Sequence, residues 1–327
     1  MPDDLRMRSA ADKKSAGTRL RALGFDRAHD PEIGVAERLE PGLVVVTAPN
    51  AGPMTFTGTR TYILGTREVA IIDPGPKDPE HAAALAGALP PGARVRAVLV
   101  THAHRDHSAG AEAIGRLFDA PVLGHGDPRG ARSPLMTELA AAGGLGGGEG
   151  LDYSFAPDRA IRGGELLRGL DWTIEVLALP GHTADHLGFA WLEGGALFTG
   201  DTVMGWSTTL ISPPDGDLGG FRTTLRRLQK RQDRIYYPGH GAPAAYPQAL
   251  AGHILGHRAQ REQEILDELA EGPAGVTDLV ARLYADVDPR LHPAAARNVL
   301  AHLIDLTERG GVRSDGTVGP GARYAAV

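Results

Sequence analysis

Four side chains able to bind a metal ion fall within six residues in Thr101-His102-Ala103-His104-Arg105-Asp106-His107. In an extended segment, residues i and i+2 point to the same side, so His102 and His104 can share one ion. Asp106 and His107 lie where the chain turns into a helix, face elsewhere, and can serve a second ion. A solvent-facing or hydrogen-bonded side chain is the ordinary reading of a single histidine. It is a poor account of this spacing, because it crowds four similar groups together with no ion between them.

Three later positions repeat one local context. His182 stands in Pro180-Gly181-His182-Thr183, Asp201 in Thr199-Gly200-Asp201 and His240 in Pro238-Gly239-His240-Gly241. Each follows an apolar run of strand length and a glycine that lets the backbone present the next side chain at a sheet edge. Taken singly these motifs are unspecific; with the first cluster they reinforce one another. The expected partition is His102, His104 and His182 on one ion, Asp106, His107 and His240 on the other, and Asp201 bridging. Cysteine is absent and histidine occurs 13 times. Disulfide scaffolds, thiolate nucleophiles and sulfur-ligated metals are therefore excluded, and any metal must be held by His and carboxylate.

The elements that must position these groups are short. Residues 43–47, 61–64 and 69–72 read as consecutive antiparallel strands. A helix over 81–89 and a doubly buried strand over 95–100 follow, then a helix over about 109–118 and a strand at 122–123. Such alternation indicates sheet covered by helices. Six glycines among residues 143–150 make a loop. Strands are expected again at 170–179, 187–191, 196–198 and 235–237, with an amphipathic helix over 217–230. Beyond Pro247 the texture becomes helical, at 253–270, 276–284 and 293–309, and residues 310–327 carry a turn at Ser314-Asp315-Gly316. Three helices and a terminal hairpin suggest a winged helix. The expected division is an N-terminal extension with the first elements at 1–40, a catalytic domain at 41–246 and a winged-helix-like domain at 247–327.

The ligand segments, in this order and approximate spacing, resemble the metallo-β-lactamase superfamily over roughly residues 44–240. The resemblance implies an α+β four-layer αβ/βα sandwich with two metals at one edge. Asp73, in Ile71-Ile72-Asp73-Pro74-Gly75, matches the strand-end Asp that supports the metal-binding loop from behind, as Thr101 and His186 are also expected to do. Pro49-Asn50-Ala51-Gly52-Pro53, Gly58-Thr59-Arg60-Thr61-Tyr62 and Gly181-His182-Thr183-Ala184-Asp185-His186 look like the lactamase-β-like subgroup that carries a C-terminal winged helix. Arg60 stands where that subgroup commonly has Asn, which puts any polar contact of that Asn in doubt. The remaining histidines (29, 81, 125, 253, 257, 292 and 302) are expected to be structural or solvent-facing.

Two ions about 3.5–4 Å apart lower the pKa of a shared water to near neutral, so that hydroxide replaces a Ser or Cys nucleophile. Asp106 is the expected catalytic group, orienting or deprotonating that water. Nitrogen and oxygen ligands suit two zinc ions per chain, and manganese or iron also accept such a set. His104 disfavours the di-iron oxygen reductases of the superfamily, which carry a carboxylate there. Iron-dependent persulfide dioxygenases share the HxHxDH spacing. The favoured reading is a hydrolase of a small ester, thioester or lactone. Trp206, Ser207 and Thr208, just after Asp201, are candidates for substrate contact.

The main alternative is an endoribonuclease for single-stranded RNA, since the subgroup includes one. Arg222, Arg226, Arg227, Lys230, Arg231 and Arg234 could track a phosphate backbone. Against it stand aromatic residues at 5% and a formal net charge of −6. From residue 251 onward there are eight Arg and no Lys against eleven Asp and Glu, which opposes a DNA-binding regulator. A lid or a homodimer contact is the expected use of that module. The N-terminus is polar without an apolar signal core, and no apolar run is long enough to span a membrane, so the expected compartment is the cytoplasm.

Overall fold

The structure is a computed structural model that describes residues 25–145 and 150–327. Most of the expected N-terminal extension, and the centre of the glycine run at 146–149, lie outside the described residues.

The first sheet opens with β1 (Ala36–Glu40), β2 (Leu43–Thr47), β3 (Arg60–Leu64) and β4 (Glu68–Ile72), each antiparallel to the next. Helix α1 (Pro79–Ala88) begins on a cap, with the Asp78 carboxylate accepting the His81 N–H at 2.8 Å. It returns the chain to β5 (Arg94–Leu99), parallel to β4. Short α2 (Arg105–Ser108) and α3 (Ala111–Phe118) follow, then β6 (Val122–Gly124), α4 (Pro134–Ala142) and β7 (Arg159–Ala160). The seven strands lie in chain order.

The second sheet contains β8 (Leu166–Arg168), β9 (Thr173–Ala178), β10 (Leu187–Trp191) and β11 (Ala196–Gly200). Helix α5 (Leu218–Gln229) crosses over to β12 (Ile235–Pro238), which pairs parallel to β11. The order is β12-β11-β10-β9-β8.

Alternating side chains settle the layers. Val45, Ile72 and Leu99 face inward and meet Val176, Phe189 and Phe198 of the other sheet. Val46, Ile71 and Val98 face outward beneath Leu85 of α1 and Ile114 of α3. On the far side Leu177 and Leu197 pack under Leu218, Phe221 and Leu225 of α5. Helices, sheet, sheet and helices make the four-layer sandwich that the sequence leads one to expect.

The last part comprises α6 (Pro247–Ala270), β13 (Ala274–Gly275), α7 (Val276–Leu283), α8 (His292–Glu308), β14 (Val312–Ser314) and β15 (Arg323–Ala326), with strand order β13-β15-β14. Its core of Leu279, Val299, Leu303 and Tyr324 is completed by Met136 and Leu139 from α4 and by Leu145. Arg222 of α5 binds Asp305 of α8 at 3.0 Å, and it also pairs with Glu262 of α6. No helix among the described residues is long and apolar enough to cross a membrane.

Two expected elements begin late. The strand expected over 170–179 is β9, which starts only at Thr173. Gly169 N–H bonds to the Trp172 carbonyl at 3.0 Å and closes a turn between β8 and β9. Trp172 is buried, its indole N–H donating to the Glu68 carbonyl at 2.8 Å, and this contact holds the turn against the first sheet. The helix expected over 109–118 starts after Gly110, where a Cβ would lie 2.9–3.0 Å from the carbonyl oxygens of Pro74, Gly75 and Pro76. The bare backbone there lets the loop after Asp73 close onto the ligand segment.

Candidate metal centre

Every expected ligand stands just beyond the carboxyl end of a strand, the edge at which open α/β sheets bind ligands. His102 and His104 follow β5, with His104 still extended at φ −66°, ψ 139°. Helix α2 begins there and carries Asp106 and His107. His182 follows β9, Asp201 follows β11 and His240 follows β12.

The seven side chains converge in two groups. His102 Nε2 lies 2.8 Å from His104 Nδ1, which lies 3.0 Å from His182 Nε2. The second group is Asp106, His107 and His240, with Asp106 Oδ2 3.3 Å from His107 Nε2 and 3.1 Å from His240 Nε2. Asp201 stands between them. Its Oδ2 is 3.6 Å from His182 Nε2, and its Oδ1 is 3.4 Å from His240 Nε2. Both groups are compact enough for each to hold one ion.

Hydrogen bonds behind the rings select the nitrogen that faces in. His107 Nδ1 meets Asp73 Oδ2 at 2.9 Å, His182 Nδ1 the Leu210 carbonyl at 2.9 Å and His240 Nδ1 the Gly58 carbonyl at 3.2 Å. Each partner is an acceptor, so Nδ1 carries the proton and Nε2 offers its lone pair. The Thr101 hydroxyl donates to Asp73 Oδ2 at 2.9 Å and is left to accept from His102 Nδ1 at 3.0 Å. The lone pairs of His102 Nε2 and His182 Nε2 thus both face His104 Nδ1, which can donate to only one of them, and Asp201 Oδ1 is buried without a hydrogen-bond partner. A cation relieves both conditions, so the donor set fits a pair of metal ions. Gly239 is needed for this closeness, because a Cβ there would lie 2.6 Å from both Asp201 Oδ1 and the His107 ring.

Protonation differs between the groups. Burial lowers His104 to about 3 and holds His102 well below the ordinary histidine value, with neighbouring histidines adding to the effect. Burial also opposes charge on His240 and His107, but carboxylates outweigh it. Asp201 and Asp106 raise His240 to about 10, and Asp106, Asp201 and Asp73 raise His107 well above its usual range. Without metal, protons take the place of a cation in the second group.

The sequence pattern of the metallo-beta-lactamase superfamily matches residues 54–240, and that of the beta-lactamase associated winged helix domain matches residues 276–321. The chain belongs to the metallo-beta-lactamase superfamily. This superfamily hydrolase is 30% identical over 299 residues to an atrochrysone carboxyl ACP thioesterase of Aspergillus fumigatus, covering 85% of this chain and 86% of that one. It is 29% identical over 292 residues to a beta-lactamase-like protein 2 homolog of Drosophila melanogaster, covering 86% and 93%. Its fold is similar to that of a beta-lactamase domain protein from Burkholderia ambifaria, with a TM-score of 0.77 at 22% identity over 94% of this chain and 98% of that one.

Other residues of the superfamily site follow. His186 stacks on His102 with ring centres 4.7 Å apart, and its Nε2 accepts the Asp201 N–H at 3.1 Å. It therefore sits behind the first group and Asp201. Trp206, Ser207 and Thr208 line a cavity of about 330 Å³ between the metal-ligand loops and the winged helix. His257, grouped with the structural histidines on sequence, lines it too. Of the basic side chains near α5, Arg222, Arg231 and Arg234 pair with carboxylates, and Arg227 binds the Ala178 carbonyl. Arg60 is buried and bonds to Thr47 and His29, so its guanidinium does not reach the ligands.

Three supporting residues escaped the sequence reading. Thr59 donates to Asp106 Oδ2 at 3.2 Å, and Asn50 grips Thr59 through its N–H at 2.8 Å and its hydroxyl at 2.9 Å. Asp185 accepts the Ala103 N–H at 2.9 Å, between the two first histidines. No local spacing rule links residues so far apart. Their signal was membership of the subgroup-like segments at 49–53, 58–62 and 181–186, which gave them no individual role.

Proposed function

We propose that the chain is a dinuclear metal hydrolase that cleaves acyl thioesters, with zinc as the native metal. The observation that carries this reading is the seven-donor cluster, in which Asp201 reaches toward both histidine groups. A pair of divalent cations held there supplies Lewis acidity and a water that ionises near neutral pH.

The protein's own groups do the rest. Asp106 is a quarter exposed, whereas the other ligand side chains with Asp106 in the second group are buried. It is the exposed ligand of that group, open to incoming water and substrate. Its carboxyl stays well below the usual range, because the charges of His107 and His240 overcome the effect of burial. An ionised Asp106 accepts a proton or orients the attacking water. The Thr59 hydroxyl holds it in place. Asp73, Thr101 and the carbonyls of Leu210 and Gly58 keep the imidazoles aimed.

Three considerations favour a thioester. The chain has no cysteine, so no thiol nucleophile competes. A thiol of the cysteine type has a pKa of about 8.5, so it departs without a dedicated acid. The Aspergillus fumigatus relative is named a thioesterase. Small-molecule chemistry is preferred to RNA cleavage because four of the six basic side chains considered are already engaged within the fold.

Purified chain loaded with zinc or manganese should be assayed in parallel on an acyl thioester, a lactone and single-stranded RNA. Metal-dependent thioester hydrolysis is expected. RNA cleavage that weakens with salt, without thioester turnover, would overturn the reading.

A further inference from the structure

The cavity beside the metal centre has walls from both domains. One wall is the loop after Asp201, which also holds the metal ligands: the Leu210 carbonyl binds His182, and the Thr209 hydroxyl donates to the Asp201 carbonyl at 2.6 Å. The opposite wall is α6, α7 and α8, through Arg258, Tyr284 and Asn298. A volume of about 330 Å³ sits at the small end of ligand pockets, roughly 300–1,000 Å³.

Its lining is flat and apolar at one side. Phe56 and Trp206 stack with ring centres 4.9 Å apart and planes 8° from parallel, and Met54 lies beside them. The Trp206 indole N–H is buried without an acceptor. On the other side Arg258 is 3% exposed. Its Nη1 donates to Asn298 Oδ1 at 3.2 Å and its Nη2 to the Thr209 carbonyl, while Nε has no acceptor. No carboxylate among the described residues pairs with it. A buried guanidinium without a counter-ion is costly, and its donor fork matches a two-oxygen anion.

We propose that this cavity takes the acyl part of the substrate, and that Arg258 binds an anionic oxygen at the end of a flat, largely apolar acyl group. The winged-helix domain then supplies a specificity wall to the active site. This rests on the thioesterase reading and adds the class of acyl group to it.

The test is binding, without turnover, to the metal-loaded full chain. The probes are 2-naphthalenesulfonate and its uncharged counterpart methyl 2-naphthyl sulfone, titrated by calorimetry. The wild type should bind the sulfonate at least tenfold more tightly. Arg258→Gln should lose that preference and keep sulfone binding, and Trp206→Ala should weaken both probes. The proposal is overturned if neither probe binds the wild type, if the preference survives in Arg258→Gln, or if Trp206→Ala changes nothing. Should the Gln variant fail to fold, Arg258→Lys decides: replacing the fork by a point charge should cut the preference several-fold, and an unchanged preference overturns the proposal. Loss of thioester turnover in the parallel assay would leave these binding results standing, so the two readings fail separately.

Discussion

The Asp73 carboxylate lies 2.9 Å from Nδ1 of His107 and thereby determines which nitrogen of that ring faces the second ligand group. Asp73 is buried and adopts φ +51°, a conformation that asparagine tolerates. Asp73→Asn therefore keeps the backbone but removes the charge and turns one of two accepting oxygens, which face the Thr101 N–H and the His107 ring, into a donor. Metal affinity should fall about 10–100-fold, as is usual for such supporting groups. Competition titration against a chelator measures it, and an unchanged affinity would contradict the orienting role.

Asp201 offers one oxygen to each group, so Asp201→Ala should damage both. Bound metal should drop from about two ions per chain to one or fewer. Elemental analysis of dialysed protein reads the ratio. Asp106→Ala should abolish turnover, and persistent activity would show that the site is assigned to the wrong residue.

Metal uptake should release protons. His107 and His240 have raised pKa values, that of His240 about 10, so both are protonated at neutral pH in the metal-free chain. Cations must displace those protons, and roughly one to two should appear per chain loaded at pH 7. Apparent affinity should rise with pH until the rings lose their protons unaided. Calorimetry in two buffers of different ionisation heat counts the protons; a count of zero would refute the scheme.

Burial raises the Asp185 carboxyl from an ordinary 3.8 to about 6. Its neutral form is the one the fold favours. Its contribution to stability is fully present below pH 3.8 and is lost as pH rises through about 6, a change on the order of 2–3 kcal/mol. Asp185→Asn keeps an acceptor for the Ala103 N–H and should flatten that part of the stability profile. Denaturant titration of the metal-free protein between pH 4 and 7 tests this; a slope equal to wild type would refute it.

Leu139 belongs by position to the first domain and by packing to the second. Leu139→Ala should cost about 2–4 kcal/mol through the cavity it leaves. Hydrogen exchange should quicken in α8 before it does in β5. Equal effects in both would contradict this packing.

The seven-donor cluster was legible in the sequence because His and Asp recur just past strand ends, and β5, β9, β11 and β12 each end where an apolar run meets a turn. The sandwich was legible for a similar reason: residues such as Val45 and Val46 alternate between two cores. What was hidden depends on contacts without a local period. Thr59 and Asn50 reach Asp106 across the loop before β3. The late start of β9 goes with Trp172 binding the distant Glu68 carbonyl. Helix α4 was not expected: it carries Met136 and Leu139 on a short segment beside a glycine run, and its apolar face has meaning only against the winged helix. Arg258 could not be told from any helical arginine until its missing counter-ion was visible.

The placement of α4 also bears on synthesis. The helix leaves the ribosome well before α6, α7 and α8, which cover its apolar side chains. Until they arrive, Met136 and Leu139 lack the side chains that bury them. A stalled or truncated product would therefore display a sticky face, and the last helices act as its intramolecular chaperone.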